Sequence, residues 1–158
     1  MQNTQTILDF IFLTITYSGG YLVVSIVTIL TALSFVLHKH SKRVMPLLAT
    51  VAGSAITVWV MKHVIDAPRP PSALYLESSP SFPSGHAALA MALYGFLFLT
   101  IYKHEKHHLQ NKSLVLLGLL TIAIGASRLY LGVHYISDVL VGYVIGLIWL
   151  FIANKMKK

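Results

Sequence analysis

The sequence predicts an all-α fold: a polytopic transmembrane helix bundle of five spans plus an N-terminal interfacial helix, in a single membrane-embedded domain over residues 1–158. The first observation behind this prediction is composition. Hydrophobic residues make up 56% of the chain and charged residues only 11%, whereas a soluble domain carries about 25% charged residues. The second is that five apolar stretches approach or reach the ~20 residues that a bilayer span requires. Each is expected to be a helix, since backbone groups in hydrocarbon must pair within their own segment.

The N-terminal element is predicted to lie on the membrane rather than cross it. The apolar run over residues 7–17 is too short for a span and is interpreted as an interfacial helix. Gly19 and Gly20 then separate it from the first span. The alternative is that residues 7–37 form one long, tilted and kinked span. No positively charged segment precedes the run, which argues against a cleaved signal peptide.

The remaining elements are the five spans and one long loop. The predicted spans cover residues 20–37, 44–64, 85–102, 114–131 and 136–153. The segment between the second and third spans, about 65–84, is rich in proline and serine, which is typical of a loop rather than a helix or strand. These residues are Pro68, Pro70, Pro71, Ser72, Ser78, Ser79, Pro80, Ser81 and Pro83.

Lysine and arginine residues set the predicted orientation. Nine of the twelve lie in two loops and the C-terminal tail: Lys39, Lys42, Arg43, Lys103, Lys106, Lys112, Lys155, Lys157 and Lys158. Because cytoplasmic loops carry an excess of these residues, we expect a cell-membrane protein with the N-terminus outside and the C-terminus in the cytoplasm. The net charge of +7 therefore predicts no nucleic-acid partner. The absence of cysteine excludes disulfides and cysteine catalysis.

Three polar clusters lie at the ends of the predicted spans, all on the predicted outer side. In the first, Lys62 and Arg69 are spaced so that they would share one face of a continuous helix. Pro68 and Pro70 are expected to end that helix and leave Arg69 on a stiff turn. Arginine fits a phosphate bidentately, while lysine supplies a point charge. The alternative is a snorkelling lysine beside an interfacial arginine.

The second cluster, Pro83-Ser84-Gly85-His86, directly precedes an apolar helical run. Ser84 is predicted to cap the helix, and Gly85 would let a backbone amide approach a ligand closely. A helix N-terminus with free N–H groups favours an anion. Histidine ordinarily titrates near neutrality, so His86 could protonate a leaving oxygen. The alternative is a simple cap with an interfacial histidine.

The third cluster joins Ser127-Arg128 at the end of one span to His134 and Asp138 at the start of the next. His134 and Asp138 are four residues apart and would share one helix face. A carboxylate inside an apolar helix is costly and usually functional. Bonded to one imidazole nitrogen, it fixes the tautomer and exposes the other nitrogen as base or nucleophile. The alternative is a structural pair that pins two helices.

Together these residues resemble the three-part signature of the type-2 phosphatidic acid phosphatase (lipid phosphate phosphatase) family. The signature reads Lys-x6-Arg-Pro, Pro-Ser-Gly-His and Ser-Arg-x5-His-x3-Asp, and the sequence matches it without substitution. The resemblance covers about residues 20–153. The form of the second motif and the residues at 77–82 before it resemble the phosphatidylglycerophosphatase B type.

The resemblance implies a role for each motif residue. The catalytic residues would be the nucleophile His134, the proton donor His86, and Asp138, which orients the nucleophile. The phosphate-binding residues would be Lys62, Arg69, Ser84, Gly85 and Arg128. Membrane members usually have six spans, whereas five are predicted here, with the interfacial helix in place of the first. A homodimer is one way to cover the helix surface that this leaves bare.

The sequence thus predicts a metal-independent phosphatase, without a cofactor, that hydrolyses a terminal phosphate from a lipid phosphate or pyrophosphate at the extracytoplasmic face through a phosphohistidine. Its predicted partners are the lipid phosphate and the surrounding membrane lipids. One alternative is a protein that binds or transports anionic lipid headgroups without chemistry. Another treats the polar clusters as structural contacts between helices.

Several histidines lie outside the motifs. His104, Glu105, His107 and His108 form a cluster in a basic loop on the other side from the motifs. Because metal ligation needs converging geometry and a second shell, we expect solvated or headgroup-facing side chains there rather than a metal site. Tyr130 and Tyr135 flank the third cluster and are candidates to line the substrate path.

Overall fold

The computed structural model describes residues 2–71, 73–75, 77–104 and 109–156, and side chains from residue 7 onward except those of residues 72, 76, 103–111 and 157–158. The described chain forms six α-helices and one short 3₁₀ turn, with no strand among them. They are α1 (Gln2–Ser18), α2 (Tyr21–Leu37), the turn Ser41–Arg43, α3 (Val44–Ile65), α4 (Gly85–His104), α5 (Leu109–Tyr130) and α6 (Ile136–Lys155). The predicted all-α class is confirmed.

Four helices, α3 to α6, are each long and apolar enough to cross a membrane. They coincide with the predicted spans over 44–64, 85–102, 114–131 and 136–153. Helices α1 and α2 qualify only as a pair, bent by 45° at the break between them. The break falls at Gly19-Gly20, as the two glycines predict. The described residues therefore give four spans, or five when the bent pair counts as one; an interfacial position for α1 stays a prediction.

Helix α4 is the centre of the bundle. Within its apolar stretch 56% of the residues are buried, whereas the apolar stretches of α3, α5 and α6 have 28% to 39% of their residues buried. It packs against all three of these helices. Its buried side chains include Ala87, Ala88, Leu89, Ala90, Leu93 and Phe96. The outer helices expose large apolar side chains, which suits surfaces that lipid chains cover.

Two glycines of α6 allow it to approach α4 closely. A Cβ atom on Gly142 would lie 2.6 Å from the carbonyl oxygen of Ser84, and one on Gly146 would lie 2.7 Å from that of Ala88. A larger residue at either position would therefore collide with the α4 backbone. Such small residues let membrane helices pack at short range. The contact holds the first turn of α4 beside the first turns of α6.

Helix α1 packs mainly against α5, and α2 packs against α3 and α4. Tyr94 of α4 donates a hydrogen bond to the Ser18 carbonyl at 2.6 Å. A Cβ atom on Gly20 would lie 3.6 Å from Nε2 of His86. Nearer the N-terminus of α1, the ring of Phe12 stacks on that of Tyr130, with centroids 4.1 Å apart. The break between α1 and α2 therefore lies against the beginning of α4 and the end of α5.

The connections between helices separate two kinds of charged residue. Helices α3 and α5 end, and α4 and α6 begin, at one end of the bundle, where the three motif clusters lie. The opposite end carries the described basic residues of the connecting turns and termini, which are Lys39, Lys42, Arg43, Lys112 and Lys155. The motif residues thus meet at one end of the molecule, as the predicted topology requires.

Candidate active site

His134 and Asp138 form a buried pair where the α5–α6 turn enters α6. Their side chains are 1% and 4% exposed, and His134 Nδ1 lies 3.2 Å from Asp138 Oδ2. Asp138 Oδ2 also accepts the backbone N–H of Tyr135 at 2.9 Å. Since an ionised carboxylate can only accept, Nδ1 of His134 carries the hydrogen and Nε2 is left with its lone pair. This is the arrangement that the four-residue spacing predicts.

The surroundings keep the His134 ring neutral. Burial lowers the pKa of His134 to about 4, and the charges of Arg128 and Arg69 act in the same direction against the hydrogen bond to Asp138. Nε2 lies 3.5 Å from the Nη1 atom of Arg69. The free lone pair of the histidine therefore points toward a cation that is predicted to hold phosphate.

Backbone carbonyls of the α3–α4 loop and of the α5–α6 turn fix the side chains of Arg69 and Lys62. Arg69 donates to the Ser79 carbonyl at 2.8 Å and to the Val133 carbonyl at 2.7 Å. Lys62 is 7% exposed and donates to the carbonyl of Pro80. Both cations are thus fixed by carbonyl oxygens, which satisfy part of their hydrogen-bonding capacity without neutralising their charge.

Arg128 is fully buried at the end of α5. Its guanidinium donates to Thr16 Oγ1 at 2.9 Å, and also to the Tyr75 hydroxyl and the Glu77 carboxylate. Its Nε atom is buried without a hydrogen-bond partner among the described residues. A buried donor that is left unpaired costs free energy, so a hydrogen bond from Nε–H to a ligand oxygen would be stabilising.

Glu77 bridges two of the three predicted phosphate-binding cations. Its carboxylate forms a 2.7 Å ion pair with Arg69 and a second ion pair with Arg128. Burial alone would raise the pKa of Glu77, but Arg128 and Arg69 outweigh it and lower that pKa to about 2. The sequence prediction did not include Glu77 among the site residues. The sequence does contain an indication of its importance, because Glu77 is one of only five acidic residues in the chain.

The second motif lies at the first turn of α4, beside the His134–Asp138 pair. The Ser84 N–H donates to the Asp138 carbonyl at 3.0 Å, and the Ser84 carbonyl accepts the N–H of Ala88. The predicted side-chain cap is not formed, because Ser84 Oγ is buried without a partner among the described residues. A Cβ atom on Gly85 would lie 2.7 Å from the Tyr21 hydroxyl, so a larger residue there would displace the tyrosine side chain.

A cavity of about 370 Å³ joins the three clusters. Its lining includes Lys62, Glu77, Gly85, His86 and His134, so both predicted catalytic histidines face one space. Trp59 and Tyr21 line its α2–α3 side and are 61% and 52% exposed. A separate, larger cavity of about 650 Å³ lies among α4, α5 and α6, and its lining contains none of the motif residues.

Histidines and tyrosines outside the motifs have different positions. His63 lines the 370 Å³ cavity. Tyr135 lines another cavity that reaches His134, whereas Tyr130 stacks on Phe12 and donates to Asp9 at 3.0 Å, which fastens α1 to α5. Glu105, His107 and His108 lie outside the described residues, as does the side chain of His104.

Comparison with known proteins gives consistent results. A family model described as the PAP2 superfamily matches residues 43–158. Phosphatidylglycerophosphatase B of Bacillus subtilis (strain 168) is 39% identical over 98 residues, which are 60% of this chain and 48% of that protein. Dolichyldiphosphatase 1 of Mus musculus is 30% identical over 125 residues, 72% of this chain and 52% of that protein. The chain spans about half the length of these two relatives.

Two solved structures share the fold. The crystal structure of the first transmembrane PAP2 type phosphatidylglycerolphosphate phosphatase from Bacillus subtilis has a TM-score of 0.82 and 30% identity, and the match covers 94% of this chain and 75% of that one. The structure of Aquifex aeolicus LpxE has a TM-score of 0.75 and 28% identity, over 94% and 86% of the two chains. A family model that accounts for every helix from α3 to α6 leads to one conclusion: this chain belongs to the PAP2 superfamily.

Proposed function

We propose that this protein is an integral membrane lipid phosphate phosphatase that removes a terminal phosphate through a phosphohistidine intermediate, without a metal ion. The observation that carries the proposal is the buried His134–Asp138 pair: the free Nε2 lone pair of His134 faces Arg69, and His134 lines the same cavity as His86. Headgroup binding alone requires cations but has no use for this oriented imidazole. The relatives named above are phosphatases of membrane lipids, which supports the same class of reaction.

In the first step, Nε2 of His134 attacks the phosphorus in line. A P–N bond forms as the bond from phosphorus to the leaving oxygen breaks, and protonated His86 gives its proton to that oxygen. Asp138 accepts the hydrogen bond from Nδ1–H and stabilises the positive charge that develops on the ring. In the second step, neutral His86 takes a proton from water, the water oxygen attacks phosphorus, and the P–N bond breaks to release phosphate.

The remaining residues stabilise the phosphoryl oxygens. Arg69, Arg128 and Lys62 supply positive charge, the role that metal ions have in many other phosphoryl-transfer sites. The buried Ser84 Oγ and Arg128 Nε, which have no partner among the described residues, would each donate a hydrogen bond to a phosphate oxygen. A phosphate that reaches both arginines must displace the carboxylate of Glu77.

The substrate is proposed to be a lipid with a terminal mono- or diphosphate. Exposed Trp59 and Tyr21 line the cavity between α2 and α3, so the lipid tails can extend into the bilayer on this side. Phosphatidylglycerophosphate, phosphatidic acid and a polyprenyl diphosphate all meet this description. Turnover of each, measured in detergent with and without a chelator, ranks them; activity that the chelator abolishes would contradict the metal-free reaction.

The site is proposed to face the extracytoplasmic side, with the C-terminus in the cytoplasm. Basic connecting residues lie at the opposite end of the bundle, where the positive-inside rule places the cytoplasm. A cysteine introduced at exposed Asp66 in the cysteine-free chain should react with an impermeant maleimide in intact cells. A cysteine at Lys42 should react only after lysis, and the reverse pattern would invert the orientation.

The nucleophile is tested by replacing His134. Purified His134→Gln should lose nearly all turnover, and ³²P-labelled lipid should transfer its phosphoryl group to the wild-type protein but not to this variant. His38→Gln is the control, since His38 lies at the opposite end of the bundle. Full turnover by a folded His134→Gln variant would refute the mechanism. Binding of the lipid without hydrolysis by the wild-type protein would favour the non-catalytic alternative.

A further inference from the structure

Ser81 lies outside the three motif clusters, yet its hydroxyl contacts both members of the His134–Asp138 pair. Ser81 Oγ donates to Asp138 Oδ2 at 2.5 Å and lies 3.4 Å from His134 Nδ1. The side chain is fully buried. Its backbone N–H donates to the Ala67 carbonyl at 2.8 Å, so the main chain holds Ser81 in place independently of the side-chain contact.

The contact determines the orientation of the Asp138 carboxylate. Oδ2 receives three donors, which are the Ser81 hydroxyl at 2.5 Å, the Tyr135 N–H at 2.9 Å and His134 Nδ1 at 3.2 Å. Hydrogen bonds to an ionised acceptor are stronger than those between neutral groups. Two of the donors come from the turn and helix that contain Asp138, whereas Ser81 approaches from the α3–α4 loop. Ser81 is therefore the contact that fixes the carboxylate from outside its own element.

We propose that Ser81 is a positioning residue for the phosphatase reaction. It holds Asp138 Oδ2 against His134 Nδ1, so that the opposite ring nitrogen keeps its lone pair directed at the substrate phosphorus. This inference rests on the proposed role of His134 as nucleophile. Without the hydroxyl, the carboxylate loses its shortest hydrogen bond, and the imidazole that depends on it turns away from the line of attack. Small misplacements of a reacting group are known to cost about 100-fold in rate.

Three substitutions separate this role from simple packing. Ser81→Ala removes the donor, Ser81→Cys keeps nearly the same volume with a weak donor, and Ser81→Thr keeps the hydroxyl. Ser54→Ala is the matched control, because Ser54 is also fully buried and its hydroxyl has no partner among the described residues. The assay uses whichever of short-chain phosphatidic acid and a polyprenyl diphosphate the wild-type protein hydrolyses faster.

Ser81→Ala and Ser81→Cys should lower kcat by about 10-fold or more, the factor expected when a charged group loses one hydrogen bond. KM should change little, since the phosphate-binding cations are untouched, and single-turnover labelling of His134 should slow by the same factor as kcat. Ser81→Thr should recover much of the rate, and Ser54→Ala should resemble wild type. Thermal unfolding in detergent checks that each variant is folded.

Three results would overturn the proposal. If Ser81→Cys keeps full kcat, or if folded Ser81→Ala labels His134 at the wild-type rate, the Ser81 hydroxyl does not position the pair and the nucleophile assignment still stands. If the wild-type protein hydrolyses the lipid without labelling His134, the proposed nucleophile is wrong and the role of Ser81 is lost with it.

Discussion

The carboxylate of Glu77 occupies the position in which two arginines would hold a phosphate. Charged groups in a partly buried site are costly unless they are paired, and Glu77 pairs with Arg69 and Arg128 at once. If both arginines bind the substrate phosphate as proposed, the same pairing would oppose substrate binding, because the phosphate must replace the carboxylate at both guanidinium groups. It would also favour product release, since the carboxylate can return as the phosphate leaves. Glu77 would then set the affinity of the site for any tetrahedral anion.

Replacing Glu77 with glutamine should tighten the binding of inorganic phosphate. The amide keeps the size of the side chain but carries no charge to compete for the arginines, so we expect the inhibition constant of orthophosphate to fall by several-fold to about 10-fold. Competitive inhibition of lipid hydrolysis measures it. Asp66→Asn is the matched control, because Asp66 is an exposed carboxylate at the same end of the bundle. Unchanged or weaker inhibition in Glu77→Gln would show that the carboxylate does not compete.

At the scale of helices, the contact between α4 and α6 assembles the site. Gly142 lets α6 pass the Ser84 carbonyl, and the Ser84 N–H donates to the Asp138 carbonyl. A backbone hydrogen bond therefore joins the second motif directly to the third. Motif residues far apart in sequence are held in register by two helices whose main chains nearly touch.

A methyl group on Gly142 should disturb this register. Gly142→Ala places Cβ 2.6 Å from a backbone oxygen that cannot move aside alone, and overpacking of this kind costs about 1–3 kcal/mol. We expect a lower thermal unfolding midpoint than in the wild-type protein. We also expect the folded variant to have a lower kcat, because the displaced turn carries Ser84 and precedes His86. Gly118→Ala is the control, since nothing described lies within 4 Å of a Cβ atom there. Equal behaviour of the two variants would contradict the close-contact interpretation.

At the scale of the whole molecule, the polar site makes folding sensitive to acid. Burial holds the pKa of His134 at about 4 in the folded protein, below its ordinary 6.5. The pKa of Glu77 is about 2 against an ordinary 4.5, because the arginines outweigh the effect of burial. Between each pair of values the unfolded chain binds more protons than the folded one, so stability falls as the pH falls. The His134 contribution is lost from about pH 6.5 toward 4, and that of Glu77 from about 4.5 toward 2.

The unfolding midpoint in detergent should therefore decrease steadily from pH 7 to pH 4. His134→Gln, which cannot bind the proton, should show a shallower decrease across this range even if its midpoint at pH 7 is lower. The comparison of slopes is the measurement, since it does not depend on how much the substitution destabilises the protein. Parallel pH curves for wild type and variant would rule out His134 as a source of acid sensitivity.

Much of this architecture could be predicted from the sequence, because long apolar stretches in a membrane have few alternatives to helices. The break at Gly19-Gly20 and the pairing of His134 with Asp138 followed from local spacing alone. Glu77 and Ser81 could not be placed in this way, since their partners lie in other elements and are reached through a proline-rich loop without periodicity. The cap expected of Ser84 is not formed: the first turn of α4 is packed tightly against α6, and the Ser84 hydroxyl is buried there without a partner among the described residues.

Two of the carbonyl oxygens that fix Lys62 and Arg69 come from Ser79 and Pro80 of the α3–α4 loop, in which Arg69 itself lies. Exchanging the loop residues after Arg69 for those of a relative, in order to change which lipid is cleaved, would remove both contacts. Redesign of substrate choice should therefore begin at Trp59 and Tyr21, whose side chains border the cavity without bonding to any of its charged groups in the described structure.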